Sequence, residues 1–310
     1  MADLVDCAVI GGGPAGLTAA TYLARFRRSV TVIDRGGSRA RLIPVSRNCA
    51  GFPDGIPGRD LVERMRKQAE TYGAKVVDGN AEHAERNDSS WQVRTAGMTI
   101  NARTLLFATG VENVVPSGVP EGVLKAALAR GQLRYCPICD GLEAGGTDGK
   151  ARIGVVGAES HGVAEALFLR TYSDRITLFT SETCELHEKD RNDLAKAGVT
   201  WDPRPIAHYA FDDDAVTLQF SEGDAAVVDT LYPALGSRPN IAIMDQLGLR
   251  TDRESCIVTD AHQRLGLRGL YAAGDVVSAL DQISVATAHG AIAATAIHND
   301  LRERDGLTPD

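Results

Sequence analysis

No apolar run in this chain approaches the roughly 18 residues of a membrane-spanning helix, which excludes a helical span. Basic residues are not in excess either: 33 Lys and Arg stand against 41 Asp and Glu, the acids dispersed, for a formal net charge of −8. That sign argues against nucleic acid or an anionic membrane surface as partner. Residues 1–6 lack the basic segment followed by an apolar one that marks a signal peptide, so a cytoplasmic location is expected. A disulfide framework is missing as well. Of the six cysteines, Cys7, Cys49, Cys184 and Cys256 are scattered without pattern and read as reduced thiols. Neither a second CxxC nor a spaced His pair is present, so the one CxxC lacks the other half of a zinc site and no metal is expected.

At 310 residues, with 44% hydrophobic and 24% charged side chains, the chain is long enough for two domains with a core each. Its most informative stretch is Cys136-Pro137-Ile138-Cys139, followed by Asp140 and Gly141. Two thiols two residues apart close a small disulfide ring, and neighbouring groups can depress the pKa of one of them. The pair lies between two glycine-rich turns, Gly11-Gly12-Gly13-Pro14-Ala15-Gly16 and Gly157-Ala158-Glu159-Ser160-His161-Gly162. A redox pair between two dinucleotide-type folds suggests electrons passing between a bound cofactor and a disulfide.

Residues 4–10 form a short apolar run suited to a buried parallel strand. The GxGxxG of Gly11, Gly13 and Gly16 follows directly, with Pro14 and Ala15 opening a helix expected over 14–27. Residues 30–33 are a second strand ending at Asp34, which follows Gly13 by 21 residues. That matches the ~20-residue spacing to the acid that accepts ribose hydroxyls. The glycines let the backbone approach a pyrophosphate at the helix N-terminus, where amides and the dipole favour negative charge. Two more apolar strands complete the site, Leu105-Leu106-Phe107-Ala108-Thr109-Gly110 and Leu270-Tyr271-Ala272-Ala273-Gly274-Asp275. Their Thr-Gly and Gly-Asp ends resemble flavoprotein signatures, in which the Asp binds the ribitol or pyrophosphate region. The resemblance implies FAD, not NAD, in the first unit.

The strand pair recurs at 153–156 and 176–179 around a helix expected over 161–172. The interval of 23 residues from Gly11 to Asp34, repeated from Gly157, lands on Thr180. The fold is duplicated, but the binding chemistry is not. Glu159 stands where a glycine would let the backbone approach a pyrophosphate, and a carboxylate there repels phosphates. At the strand's end stand Thr180, Ser181 and Glu182, and Thr180 at the tip is neither a cation for an NADPH 2′-phosphate nor an acid for NADH. The expectation is a retained scaffold with an impaired nucleotide site, so that NADPH use is doubtful. A nicotinamide pocket whose cations come from loops is the alternative.

These residues resemble the low-molecular-weight thioredoxin reductases over nearly the whole chain. The resemblance rests on the first glycine turn, Asn48 with Gly51-Phe52-Pro53, residues 58–74, Ala108-Thr109-Gly110 and the CxxC with Asp140 and Gly141. It continues through Leu235-Gly236-Ser237-Arg238-Pro239-Asn240, Gly274-Asp275-Val276 and Gln282. It implies an α/β fold of two Rossmann-like three-layer domains of the FAD/NAD(P)-binding flavoprotein disulfide reductase type. One domain, 1–117 and 242–310, would hold FAD through Gly11, Gly13, Pro14, Ala15, Gly16, Asp34, Asn48, Thr109, Gly110, Gly274, Asp275, Gln282 and Ile283. The other, 118–241, would carry the CxxC on a hinge that presents it to the flavin or to a partner, within a homodimer.

The chain departs from that family at defined places. The family's His-Arg-Arg cluster for the 2′-phosphate falls on Thr180-Ser181-Glu182, and its later Arg on Leu186. Its Arg-Gln-Ala before the last helix reads Asp281-Gln282-Ile283, and its Glu-Asn-Tyr-Pro-Gly-Phe reads Arg47-Asn48-Cys49-Ala50-Gly51-Phe52. This pattern looks like the divergent branches, which include NADPH-independent thioredoxin reductases and small-molecule dithiol oxidases. Members that reduce ferredoxin lack the CxxC.

By the resemblance, Cys139 faces the flavin and Cys136 attacks the partner disulfide. Asp140 is either the general acid/base for the leaving thiolate or a cap of the turn. His289 is expected as a base near the flavin or a packed dimer-interface residue, and Cys49 as a third thiol or a small buried residue. Asp60-Leu61-Val62-Glu63 reads as a capping box opening a helix that ends at Gly73. Trp91 and Trp201 read as packing residues on antiparallel strands. The expected function is an FAD-dependent dithiol–disulfide oxidoreductase acting on a thioredoxin-like protein or a small dithiol or disulfide. A dithiol oxidase passing electrons to oxygen is the first alternative, and a non-catalytic redox sensor the second.

Overall fold

Short apolar strands alternating with helices produce two sheets with parallel cores. The computed structural model describes residues 4–308 except 88, 158, 181–184, 250 and 253–255, and of Glu159 the backbone alone. Leu4–Ile10 (β1) buries its last four residues, as a central parallel strand covered on both faces must. Alternation sends Cys7 and Val9 to one side, against Ala19, Ala20 and Leu23 of the helix Pro14–Arg25 (α1). Ala8 and Ile10 point the other way, toward Trp91, Val93 and Phe107. The helix stops at Arg25, short of the expected 27, because the chain turns through Arg27 at φ 60°.

Val30–Asp34 (β2) pairs parallel with β1, and Lys75–Asp78 (β3) with β2. Between them runs the helix Gly58–Thr71 (α2). The expected capping box does not form. The N-cap is Pro57, no side chain caps the helix, and Asp60 lies inside the first turn, where the dipole favours a carboxylate. Packing fixes this earlier start: the Gly58 amide donates to the Ile43 carbonyl, and a Cβ at 58 would lie 1.9 Å from the Ala40 carbonyl oxygen. Ala81–Asn87 (β4), Ser90–Thr95 (β5) and Thr99–Phe107 (β6) form an antiparallel meander, and β6 pairs parallel with β1. The strand order is β3-β2-β1-β6-β5-β4.

Val111–Asn113 (β7) leads out of this sheet toward the helices Glu121–Arg130 (α3) and Pro137–Ala144 (α4). Arg152–Gly157 (β8), Glu159–Leu169 (α5), Arg175–Phe179 (β9), Glu188–Ala197 (α6) and Thr200–Asp202 (β10) repeat the strand–helix–strand pattern. Ile206–Phe211 (β11), Val216–Phe220 (β12) and Ala226–Val228 (β13) make a separate antiparallel sheet. Thr230–Ala234 (β14) then pairs with β8, completing the parallel order β10-β9-β8-β14. Trp91 is buried on the antiparallel β5 as expected, but Trp201 is not on an antiparallel strand. The crossover through α6 brings β10 alongside β9 in the same direction.

Ser237–Pro239 (β15) pairs antiparallel with β7, so the chain leaves and returns along one ribbon. After the short helix Ala242–Asp245 (α7), Leu270–Ala272 (β16) adds to β6 beyond the end of β5. The long helix Ile283–Arg304 (α8) packs across α1. Gly290 permits that crossing, since a Cβ there would lie 2.3 Å from the Ala15 carbonyl oxygen.

Candidate active site

The carboxyl ends of β1, β2 and β16 open into a cavity of about 600 Å³ that extends to the CxxC. Gly11, Gly13, Pro14, Ala15, Asp34 and Asn48 line it, as do Thr109, Gly110, Gly274, Asp275, Gln282 and Ile283. Cys136, Cys139 and Asp140 line its other end. Gly16 lies beneath the turn, where a Cβ would sit 2.0 Å from the Gly11 carbonyl oxygen. Sequence reasoning missed Gly12. Its amide donates to Asp34 Oδ1 at 3.3 Å, and a Cβ would collide with that carboxylate at 2.4 Å. The same oxygen accepts from the Gly36 amide at 2.9 Å.

Several features of this cavity fit a dinucleotide. Gly11 turns the chain at φ 111°, and Gly12, Gly13, Pro14 and Ala15 at the N-terminal end of α1 line the cavity, where a helix N-terminus favours negative charge. Asp34 is buried at the tip of β2. Among the described residues the buried Thr109 hydroxyl has no hydrogen-bond partner. Its backbone is held in place by Asn240, whose Nδ2 donates to the Thr109 carbonyl at 3.0 Å. The volume lies in the usual range for cofactor sites, about 300–1,000 Å³.

Arg39 crosses one wall. Its guanidinium donates to Asp275 and Asp281, both at 2.9 Å, and to Asn113 at 3.2 Å. Burial raises the Asp275 pKa, and Arg39 opposes that rise. Asp281 stands where the resemblance has an arginine, so this cation arrives from the other end of the chain. Nothing local in the sequence links positions 39, 275 and 281.

At the far end Cys136 and Cys139 form a disulfide. Cys136 is the N-cap of α4 and Pro137 opens the helix, where its missing amide leaves no hydrogen bond unmade. The Gln282 side-chain amide donates to the sulfurs of Cys136 at 3.2 Å and Cys139 at 3.4 Å. Asn48 Nδ2 donates to Gln282 Oε1 at 3.0 Å, which fixes the orientation of that amide. Asp140 breaks the helical dihedrals of α4, and among the described residues its side chain caps no backbone group. Instead the Tyr232 hydroxyl donates to its Oδ1 at 2.7 Å, and Arg134 pairs with its Oδ2 at 3.0 Å. Burial pushes its pKa up, and Arg134 and Tyr232 pull against that. Tyr232, Arg134 and the neighbouring Glu165 were not foreseen, for they come from separate strands, loops and helices.

In the second unit Gly162 packs against Gly157, so the close helix–strand contact is kept. Thr180 is fully buried and its hydroxyl donates to the Pro203 carbonyl at 3.0 Å. Leu186 is buried with Leu178 and Leu194. Ser181, Glu182 and Cys184, with the side chain of Glu159, lie outside the described residues. Cys49 is half-buried and burial pushes its thiol pKa up, which opposes a reactive thiolate. His289 is partly buried, its pKa lowered by burial, and its Nδ1 has no partner among the described residues.

A family model for pyridine nucleotide-disulphide oxidoreductases matches residues 5–290. The thioredoxin reductase of Listeria innocua is 30% identical over 310 residues, covering 94% of this chain and 92% of its own. Among solved structures, that of HlmI is similar at a TM-score of 0.89 and 26% identity, over 99% of this chain and 96% of that one. Thioredoxin reductase from Streptococcus pyogenes is similar at 0.86 and 27%, over 97% and 99%. The chain therefore belongs to the pyridine nucleotide-disulphide oxidoreductase family, as a thioredoxin reductase-like, FAD-dependent disulfide oxidoreductase.

Proposed function

We propose that this enzyme moves electrons between FAD in the cavity, the Cys136–Cys139 pair and an external thiol or disulfide. Gln282 carries the proposal, because one amide on the cavity wall donates to both sulfurs. Gly11, Gly13 and Gly16 with Pro14 and Ala15 would present the first amides of α1 to a pyrophosphate, and Asp34 would accept ribose hydroxyls. Thr109, Gly110, Gly274 and Asp275 would line the ribitol side. Asn48, Gln282 and Ile283 would close the end beside the disulfide. Bound there, FAD supplies two-electron redox chemistry. The chain's own work is exchange: an incoming thiolate bonds to one sulfur of the pair, and the other leaves as a thiolate that takes a proton. Asp140, held beside the pair, is the donor of that proton.

The domains are assigned as 1–117 with 242–310, and 118–241, meeting at the ribbon of β7 and β15, in a cytoplasmic homodimer. The external partner is a thioredoxin-like protein or a small dithiol or disulfide. NADPH is assigned at most a poor role as donor. A buried leucine at 186 and a buried, internally bonded Thr180 supply no cation for phosphate, and Glu159 and Glu182 add charge of the wrong sign.

Anaerobic mixing of the FAD-loaded protein with a small dithiol, reduced thioredoxin or NADPH tests both parts. The thiol donor should bleach the flavin, and Cys136→Ser or Cys139→Ser should stop this while FAD stays bound. Turnover that survives either substitution would remove the disulfide from the reaction. Rapid bleaching by low concentrations of NADPH would overturn the donor assignment alone.

A further inference from the structure

Beside the disulfide lies a set of ionisable side chains that this exchange has not yet used. Glu165 on α5 lines the same cavity as Asp140, Arg134 and both cysteines. Its side chain is 14% exposed, and its Oε1 is buried without a hydrogen-bond partner among the described residues. Its Oε2 lies 3.9 Å from Nε2 of His161, one helical turn back and 65% exposed. The groups facing it are Asp140 from α4, Tyr232 from β14 and His161 on its own helix, while Arg134 from the segment before α4 is paired with Asp140. Glu143, paired with Arg47, adds negative charge beside Asp140.

The two carboxyls are not equivalent. Arg134 and the Tyr232 hydroxyl are both engaged by Asp140, and these donors favour its ionised form. Among the described residues Glu165 has no such donor, and a buried carboxylate without one is costly as an anion. Burial and the adjacent Asp140 push its pKa up to about 7. Burial raises the Asp140 pKa as well, but its two donors oppose that rise, whereas Glu165 exchanges a proton near neutral pH.

We propose that Glu165 is the proton store for thiol–disulfide exchange at Cys136–Cys139, filling and emptying through Asp140. The inference rests on the exchange proposed above. In that exchange an external thiol loses its proton, and its sulfur bonds to one sulfur of the pair. The Cys136–Cys139 bond breaks, its electron pair leaves on the other sulfur, and that sulfur takes a proton. A second external thiol then loses its proton and attacks the external sulfur of the mixed disulfide, and the remaining enzyme sulfur leaves and is protonated. Two electrons pass from the external dithiol to the pair, and two protons pass with them. Asp140 relays one proton at a time. Glu165 holds the other, with the exposed His161 on its outer side.

The test is single-turnover reduction of the pair in FAD-loaded protein by dithiothreitol, followed by acid quench and thiol alkylation. Wild type and Glu165→Gln are compared from about pH 5.5 to about pH 9, so that ionisation of dithiothreitol cancels in their ratio. The wild-type-to-variant rate ratio should fall about tenfold across an inflection near pH 7, with FAD content unchanged. Glu165→Asp should restore part of the inflection. A ratio that stays flat over the whole range overturns the proposal. Should the glutamine variant fail to fold, the wild-type rate, corrected for dithiothreitol ionisation, must itself show the inflection, and its absence is equally fatal. A pair that is not reduced at any pH overturns the exchange itself and this inference with it.

Discussion

Replacing Gln282 with leucine should make the Cys136–Cys139 pair harder to reduce, by an amount the contacts set. The amide donates to both sulfurs, at 3.2 and 3.4 Å. A hydrogen bond to a neutral acceptor contributes roughly 0.5–1.5 kcal/mol net, and one to a charged acceptor roughly 1.5–3 kcal/mol. In the disulfide both sulfurs are neutral, whereas after reduction one can be a thiolate. The amide therefore favours the reduced pair by about 1 kcal/mol, and its loss should lower the potential by about 20 mV. Against a dithiothreitol or glutathione couple this is about a fivefold change in equilibrium constant, well within reach of alkylation and mass measurement. Gln282 is the N-cap of α8 but makes no side-chain capping bond, so the substitution removes no helix cap. Asn48→Ala, which frees the amide to turn, should shift the potential less and in the same direction. A potential that stays put or rises would refute the electrostatic account of this contact.

What the sequence revealed was what lies close together along it. β1, the glycine turn, α1, β2 and Asp34 occupy one short stretch, so spacing alone carried the dinucleotide reading. The CxxC is likewise local, and its helix begins at Pro137 as an X-Pro step would suggest. The Arg39 wall of the cavity and the contacts of Asp140 are not local. Arg39 meets carboxylates 236 and 242 positions away, and Tyr232 meets Asp140 across 92. Asp281 was visible only as a departure from the family pattern; its partner becomes apparent once the single 3-10 turn Arg39–Leu42 and the segment before α8 are brought to one wall. Gly12 was passed over because its need arises from a side chain returning from β2, not from the turn itself. Trp201 was given the wrong strand direction because three residues carry no periodicity of their own, and α6 decides how they run.

Gly290→Ala would place a methyl group 2.3 Å from the Ala15 carbonyl oxygen, so α1 and α8 must separate. A loss of about 1–3 kcal/mol is expected, seen as a lower midpoint in urea unfolding, and an unchanged midpoint would show that the helices yield freely. Asp34→Ala removes the acceptor shared by the Gly12 and Gly36 amides and should weaken FAD retention by roughly 1.5–3 kcal/mol, about ten- to a hundredfold in Kd by fluorescence titration. Undiminished affinity would mean that Asp34 only ties the turn. Acid tests a third site. Asp305 pairs with Arg103 and, at 2.8 Å, with Arg28, and both arginines also reach Asp6. These donors hold the Asp305 carboxyl down at about 2. A carboxyl whose folded pKa lies below its unfolded value binds fewer protons when folded, so its stabilisation is present above about pH 4 and is lost as pH falls toward 2. The groups are partly exposed, and screening limits the contribution to below about 1 kcal/mol, less at high salt. Asp305→Asn should therefore lower stability at neutral pH by that small amount, and the two proteins should converge between about pH 4 and about pH 2. If the gap instead stays constant through that interval, Asp305 acts through packing and neutral hydrogen bonds, and the charge assigned to it here has no part in holding the C-terminal helix to β1.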